Sequence, residues 1–203
     1  RKSKPGASHV QATERIPETP SWGARVVEEM PLQTVFEHLF KNELFRLSWG
    51  AKNTRGEAWE KMKVEFEDRL QRMQKDALKE GWLKPQGVYG YWPAQAQADE
   101  LIIYDPQTIE TDQPEILTRF HFPRQPDGEK LCLSDYFAPV ESGMMDLVAF
   151  QVVTVGSQAS DYVNDLQESG DYSESYFAHG LAVQTAEAAA EYLHQHIRRE
   201  LNL

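Results

Sequence analysis

Two stretches of helical periodicity bracket a middle that has none, and that order limits the fold more than any single motif. Between Thr54 and Glu80, the residues Trp59, Met62, Phe66, Leu70 and Met73 recur at three- and four-residue steps, with Lys and Glu between them. Such spacing places the apolar side chains on one face of a helix. Gly81 suits the end of that helix, because a residue without Cβ enters the left-handed region at little cost, and Pro85 supports the stop. From Asp171 to Leu203 a second long helix carries Ala182, Ala186, Ala189, Leu193 and Ile197 as one stripe. Between the two, the pattern is that of strands: Gly87–Trp92, Leu101–Tyr104, Glu115–Phe122 and Leu147–Val155. In the third, Ile116, Thr118, Phe120 and Phe122 alternate with Leu117, Arg119 and His121. Val35–Phe40 and Glu43–Trp49 form a short helical region ahead of them, and Ser157–Ser169 is a polar helical excursion. Helices, then strands, then a helix predict an α+β fold: a twisted antiparallel sheet flanked by long helices, with an N-terminal helical region.

The stretch Leu131–Gly156 is the centre of this arrangement. It opens with Leu-Cys-Leu-Ser-Asp-Tyr-Phe-Ala-Pro, breaks at Ser142–Gly143, and runs into the most apolar strand of the chain. Asp135 is placed to cap a helical turn, since its carboxylate can accept backbone N–H bonds.

The 203 residues carry a formal net charge of −11. That balance argues against nucleic acid and against an acidic membrane surface as partners, because both require clustered Lys and Arg. One cysteine, Cys132, makes neither an intrachain disulfide nor a multi-thiolate zinc site, and between two leucines it reads as buried structure. No apolar run approaches the ~18 residues of a membrane-spanning helix. The N-terminus has no apolar segment of a secretory signal, and a cytoplasmic location follows. Residues 1–21, with Pro5, Pro17 and Pro20, read as a linker, and residues 22–203 as one domain. The basic start without Met suggests a segment of a longer polypeptide.

Chemistry is sparse. Glu187, Glu191 and His194 share a shoulder of the last helix and could hold a metal or a cation, although from spacing alone a solvated helix face is the better account of them. Val155-Gly156 before a helix is a faint phosphate turn without its further glycines. His38, His121, His179 and His196 are isolated. Composition and spacing alone describe an acidic α+β domain suited to binding.

Four ordered segments resemble the C-terminal activation domain of cobalamin-dependent methionine synthase. They are LFRLSWGAK (Leu44–Lys52), KPQGVYGYWPAQAQADELIIY (Lys84–Tyr104), LCLSDYFAPVESG with Asp146 and AFQVVTVG, and HGLAVQTAEAAAEYLHQHIRREL (His179–Leu201). The resemblance implies a module of a methyltransferase rather than a self-contained enzyme. Such a module binds S-adenosylmethionine and docks on the cobalamin-binding domain of the same protein, which holds the cobalamin. With flavodoxin or a similar reductase as electron donor it supports reductive methylation of cob(II)alamin in methionine biosynthesis. It also implies that Glu187 is a ligand contact. Where the family has a ligand-contacting Asp, this chain reads Phe40-Lys41-Asn42-Glu43, so Asn42 and Glu43 are the candidates in its place. In the family an Arg…Gly-Tyr-Pro ligand motif lies downstream of the long helix, and the sequence read to Leu203 does not contain it. The other reading is a non-catalytic module that keeps the corrinoid-docking role without binding S-adenosylmethionine.

Overall fold

The computed structural model describes residues 8–10 and 15–203. The linker expected over residues 1–21 falls partly on residues 1–7 and 11–14, which lie outside the described residues. The elements run β1 (Gly23–Val27), α1 (Leu32–Glu37), α2 (Lys41–Glu43), α3 (Gly56–Glu80), β2 (Gln86–Gln97), β3 (Glu100–Tyr104), β4 (Ile116–His121), β5 (Asp146–Thr154), α4 (Ser157–Glu168) and α5 (Tyr172–Glu200). The strands form one sheet in the order β1-β2-β3-β4, with β5 also pairing β2. The β2–β3 and β3–β4 pairs are antiparallel, as the order of periodicities predicts.

The chain divides into two units. The first takes the described residues up to Arg25 together with Gly90–Phe150 and Ile197–Leu203; the second takes Val26–Tyr89 and Gln151–His196.

In the first unit, Ala94, Leu101 and Ile103 form a buried cluster, with Trp92, Phe122, Phe137 and Val148 packed against it. Ala94 faces Ile103 and Ala96 faces Leu101 across β2–β3, so the inward side chains of both strands meet on one face. Buried Asp146 closes the turn after Gly143, accepting the N–H groups of Ala138 at 2.8 Å and Leu147 at 2.7 Å. The apolar run through β5 reads as a buried strand, but only its start is buried. Phe150, Val152 and Thr154 are exposed in alternation with half-buried neighbours. A strand of an antiparallel sheet can leave one face open to solvent, and here apolar residues occupy that face.

In the second unit, α3 buries Phe66, Leu70, Met73 and Ala77. It stops at Gly81, which has φ +70° and donates to Ala77 O at 2.9 Å. Ahead of α3, residues Leu44–Ser48 form a wide helical turn, and Trp49 N–H reaches back five residues to Leu44 O at 2.8 Å. The extra residue in that turn aims Trp49 inward. Its ring lies 5.4 Å from Phe45, 5.2 Å from Phe66 and 5.2 Å from Phe177, and its Nε1 donates to Phe177 O at 3.1 Å. Gly180, one helical turn beyond Phe177, gives the indole room against α5. These contacts seat the helix that carries the candidate ligand residue.

Candidate functional site

The predicted stripe on α5 is real: Ala182, Ala189, Leu193 and Ile197 are buried and Ala186 is half-buried. Small side chains there leave a groove of about 440 Å³ within the second unit. The end of β5 (Val153, Thr154), then Val155 and Gly156, form one wall. From α4 come Ala159, Ser160, Val163 and Asn164, and from α5 His179, Ala182, Val183 and Ala186. Glu187 follows directly after Ala186 and sits one turn beyond Val183. It is exposed, and no hydrogen bond or ion pair engages it among the described residues.

One turn before Glu187, the side chain of Gln184 is buried, and its Oε1 has no hydrogen-bond partner among the described residues. Together these are two acceptors on neighbouring turns without protein donors. A buried acceptor without a donor carries a desolvation cost that a ligand or water N–H or O–H relieves. Sequence reasoning missed Gln184. The only signal was a polar residue three places after Leu181 and four before Ala188, on the buried side of an alanine-rich helix.

The other two members of the predicted shoulder are engaged elsewhere. Glu191 accepts from Gln195 Nε2 at 3.0 Å and stands 3.6 Å from His194 Nδ1. The Gln195 hydrogen bond, helped by His194 and His38 and opposed by desolvation, holds the Glu191 carboxyl below its usual range. Thus the expected three-residue cluster resolves into a Glu191–Gln195–His194 group and a separate, unengaged Glu187. Among the described residues, no group of three or more His, Cys, Asp and Glu side chains is disposed to hold a metal.

Asn42 and Glu43 lie exposed on α2 in the same unit. Neither is hydrogen-bonded to Glu187, so the structure does not itself join them into one site. Lys41 beside them pairs with Glu67 at 2.8 Å.

Asp135 caps its turn as expected, accepting Cys132 N–H at 3.1 Å. It does more than that. Arg124 donates to both of its oxygens at 2.7 Å and to Asp99 Oδ1 at 2.8 Å, and Ser8 donates at 2.6 Å. The Arg124 hydrogen bonds are the largest cause, and the Asp135 carboxyl is held down to about 2. Cys132 is buried, with Sγ 3.0 Å from Ser134 Oγ and 3.3 Å from Phe122 O. Both groups are structural fixtures of the first unit. Gly156 (φ +86°) opens α4, its N–H bonded to Thr154 Oγ1 at 3.1 Å. No helix among the described residues is long and apolar enough to cross a membrane.

The chain is 34% identical over 211 residues to methionine synthase of Mycobacterium tuberculosis and 31% identical over 211 residues to that of Mycobacterium leprae. In each case 97% of this chain is covered but only 17% of the relative, so the chain spans about a sixth of their length. A crystal structure of the MetH reactivation domain bound to AdoHcy superposes with a TM-score of 0.76 at 25% identity, covering 90% of this chain and 57% of that one. The model of the vitamin B12 dependent methionine synthase activation domain matches residues 32–202. That span holds the wide turn, the whole sheet beyond β1, and α5 with Glu187, and on it this chain belongs to the activation-domain family of vitamin B12 dependent methionine synthase.

Proposed function

We propose that this chain serves as the activation module of a cobalamin-dependent methionine synthase. It holds S-adenosylmethionine and docks on the cobalamin-binding domain, so that oxidised cobalamin is reductively methylated. The observation that supports this most directly is the match over residues 32–202, together with the fold of a reactivation domain seen with AdoHcy.

The residues present fit such a ligand. S-adenosylmethionine brings a sulfonium and an ammonium, and when bound it supplies a methyl group activated for transfer. Glu187 offers an exposed, unengaged carboxylate. From Leu131 to Ile197 the chain carries ten carboxylates and no Lys or Arg, an acidic stretch that favours the approach of a cation, and Arg69 of α3 already pairs with Glu174 at the start of α5. The groove supplies apolar walls from Val153, Val163, Ala182 and Val183, with Ser160 and Asn164 as polar groups. The chain's contribution is orientation: a carboxylate carried on a rigid helix restricts where the ligand's charged end can sit. Asn42 or Glu43 is the proposed second contact, in the position of the family's Asp. The electron donor in this reading is flavodoxin or a similar reductase. The linker over residues 1–21 and a cytoplasmic location belong to the same proposal.

Calorimetry with S-adenosylmethionine tests it, with and without a corrinoid domain loaded with cob(II)alamin. Binding is expected in at least one arm and reduced about tenfold or more by Glu187→Ala, the loss of one charge-assisted contact. Absence of heat in both arms sinks the ligand half of the proposal and favours a module that only docks.

A further inference from the structure

Two pieces of the arm ahead of β1 lie on the first unit. Ile16 and Pro17 are half-buried and line one cavity with Leu201 and Leu203 at the end of the chain. Farther out, Ser8 Oγ donates to Asp135 Oδ2 at 2.6 Å, a contact between residues 127 apart in sequence. The chain bends at His9, and Val10 N–H turns back towards Ser8 Oγ at 3.4 Å. That bend leaves His9 exposed and Val10 half-buried. Val10 and Ser8 line a cavity of about 240 Å³ with Ala96 of β2, Ala98, Phe137 and Pro139.

The acceptor of the Ser8 bond is held from the other side. Arg124 has five N–H donors, and all five are used. Nε and Nη2 donate to Asp99 Oδ1 at 2.9 and 2.8 Å, Nη1 and Nη2 donate to the two oxygens of Asp135 at 2.7 Å, and Nη1 also donates to Lys130 O at 2.7 Å. The Ser8 hydroxyl therefore meets a carboxylate that is already fixed, and closing the contact orders little beyond the arm itself. An anion at position 8 instead meets Asp135 and Asp99 with no donor of Arg124 left to receive it. We propose that residues 8–10 are a strap over the first unit, latched by the Ser8–Asp135 hydrogen bond and seated by Val10. The strap opens when position 8 loses its donor or gains a negative charge. Closed, it covers the Asp135 turn and the end of β2. Open, it lengthens the chain ahead of β1 by up to about 3.5 Å for each residue freed. The strap uses no residue of the Glu187 groove, so either proposal can fail without the other.

The test is NMR relaxation and amide hydrogen exchange on the full chain, with Ser8→Ala, Ser8→Asp and Ser8→Thr. In the wild type the order parameter of the Val10 amide is expected at about 0.85, the value of ordered backbone. Ser8→Ala, which loses a hydrogen bond to a carboxylate, is expected to speed exchange at Val10 about tenfold or more. Ser8→Asp is expected to lower the Val10 order parameter below about 0.6, with shift changes at Ala98 and Asp135 and none at Phe66 or Leu70. Ser8→Thr keeps the hydroxyl and is expected to match the wild type. A mobile Val10 in the wild type, an ordered Val10 in Ser8→Asp, or equal opening in Ser8→Thr and Ser8→Asp overturns the latch. The wild-type measurement decides whether the strap is closed whatever the variants do.

Discussion

Gly180 lies within α5, where helix propensity alone says that alanine should stabilise by about 1 kcal/mol. The surroundings reverse the sign. A Cβ at Gly180 would stand 2.8 Å from Trp49 Cδ1, 3.0 Å from its Nε1 and 3.2 Å from Ser48 Cβ. Trp49 cannot easily yield, because it is 3% exposed and held among Phe45, Phe66 and Phe177. Overpacking a filled core costs about 1–3 kcal/mol. A shifted indole also loses its hydrogen bond to Phe177 O, worth about 1 kcal/mol. Setting about 2 and about 1 against the gain of about 1 leaves Gly180→Ala destabilising by about 2 kcal/mol, or about 4–8 °C in Tm. Urea unfolding followed by far-UV circular dichroism and by tryptophan fluorescence measures it. The double variant with Trp49→Phe removes the two pyrrole-ring atoms that the new methyl meets, so a favourable coupling of about 1–2 kcal/mol is expected in the cycle. A higher urea midpoint for Gly180→Ala, or a cycle additive within about 0.5 kcal/mol, would refute the claim that the Trp49–Gly180 contact seats α5.

Acid should weaken the first unit through Asp135. Its folded carboxyl is lowered from 3.8 to about 2, with the Arg124 hydrogen bonds as the main cause. The stabilisation is therefore fully present above pH 3.8 and is lost as pH falls through about 2, and the difference corresponds to about 2 kcal/mol. Arg124→Met is expected to flatten that limb in urea midpoints measured across the window; an unchanged slope would assign it to other groups. Salt should act in opposite directions on the two proposed partners. Binding of cationic S-adenosylmethionine is expected to weaken as ionic strength rises, whereas docking of an acidic flavodoxin, repelled by the same carboxylates, tightens. Titrations at low and high salt check both, and parallel slopes would contradict the electrostatic reading.

The long helices were legible because each carries a period that a strand cannot satisfy. Phe66, Leu70 and Met73 are buried on α3 as their spacing requires, and Gly81 ends the helix in the left-handed conformation. The exposure of β5 was not legible. Val152 and Phe150 have the composition of a core strand, and only the pairing of β5 at β2 decides that one face stays open. Nor was the role of Arg124 legible. Its carboxylates, Asp99 and Asp135, lie 25 and 11 residues away in sequence, and no local pattern connects a turn arginine to both.

The candidate site on α5 shows the same division. Glu187 is set by a helix, and α5 fixes its relation to Gln184 and Val183 by local geometry alone. What spacing could not decide was whether the carboxylate was engaged, since Glu191 on the same helix has the same charge and is tied to Gln195 and His194. Resemblance separated the two, and the contacts agree with that separation.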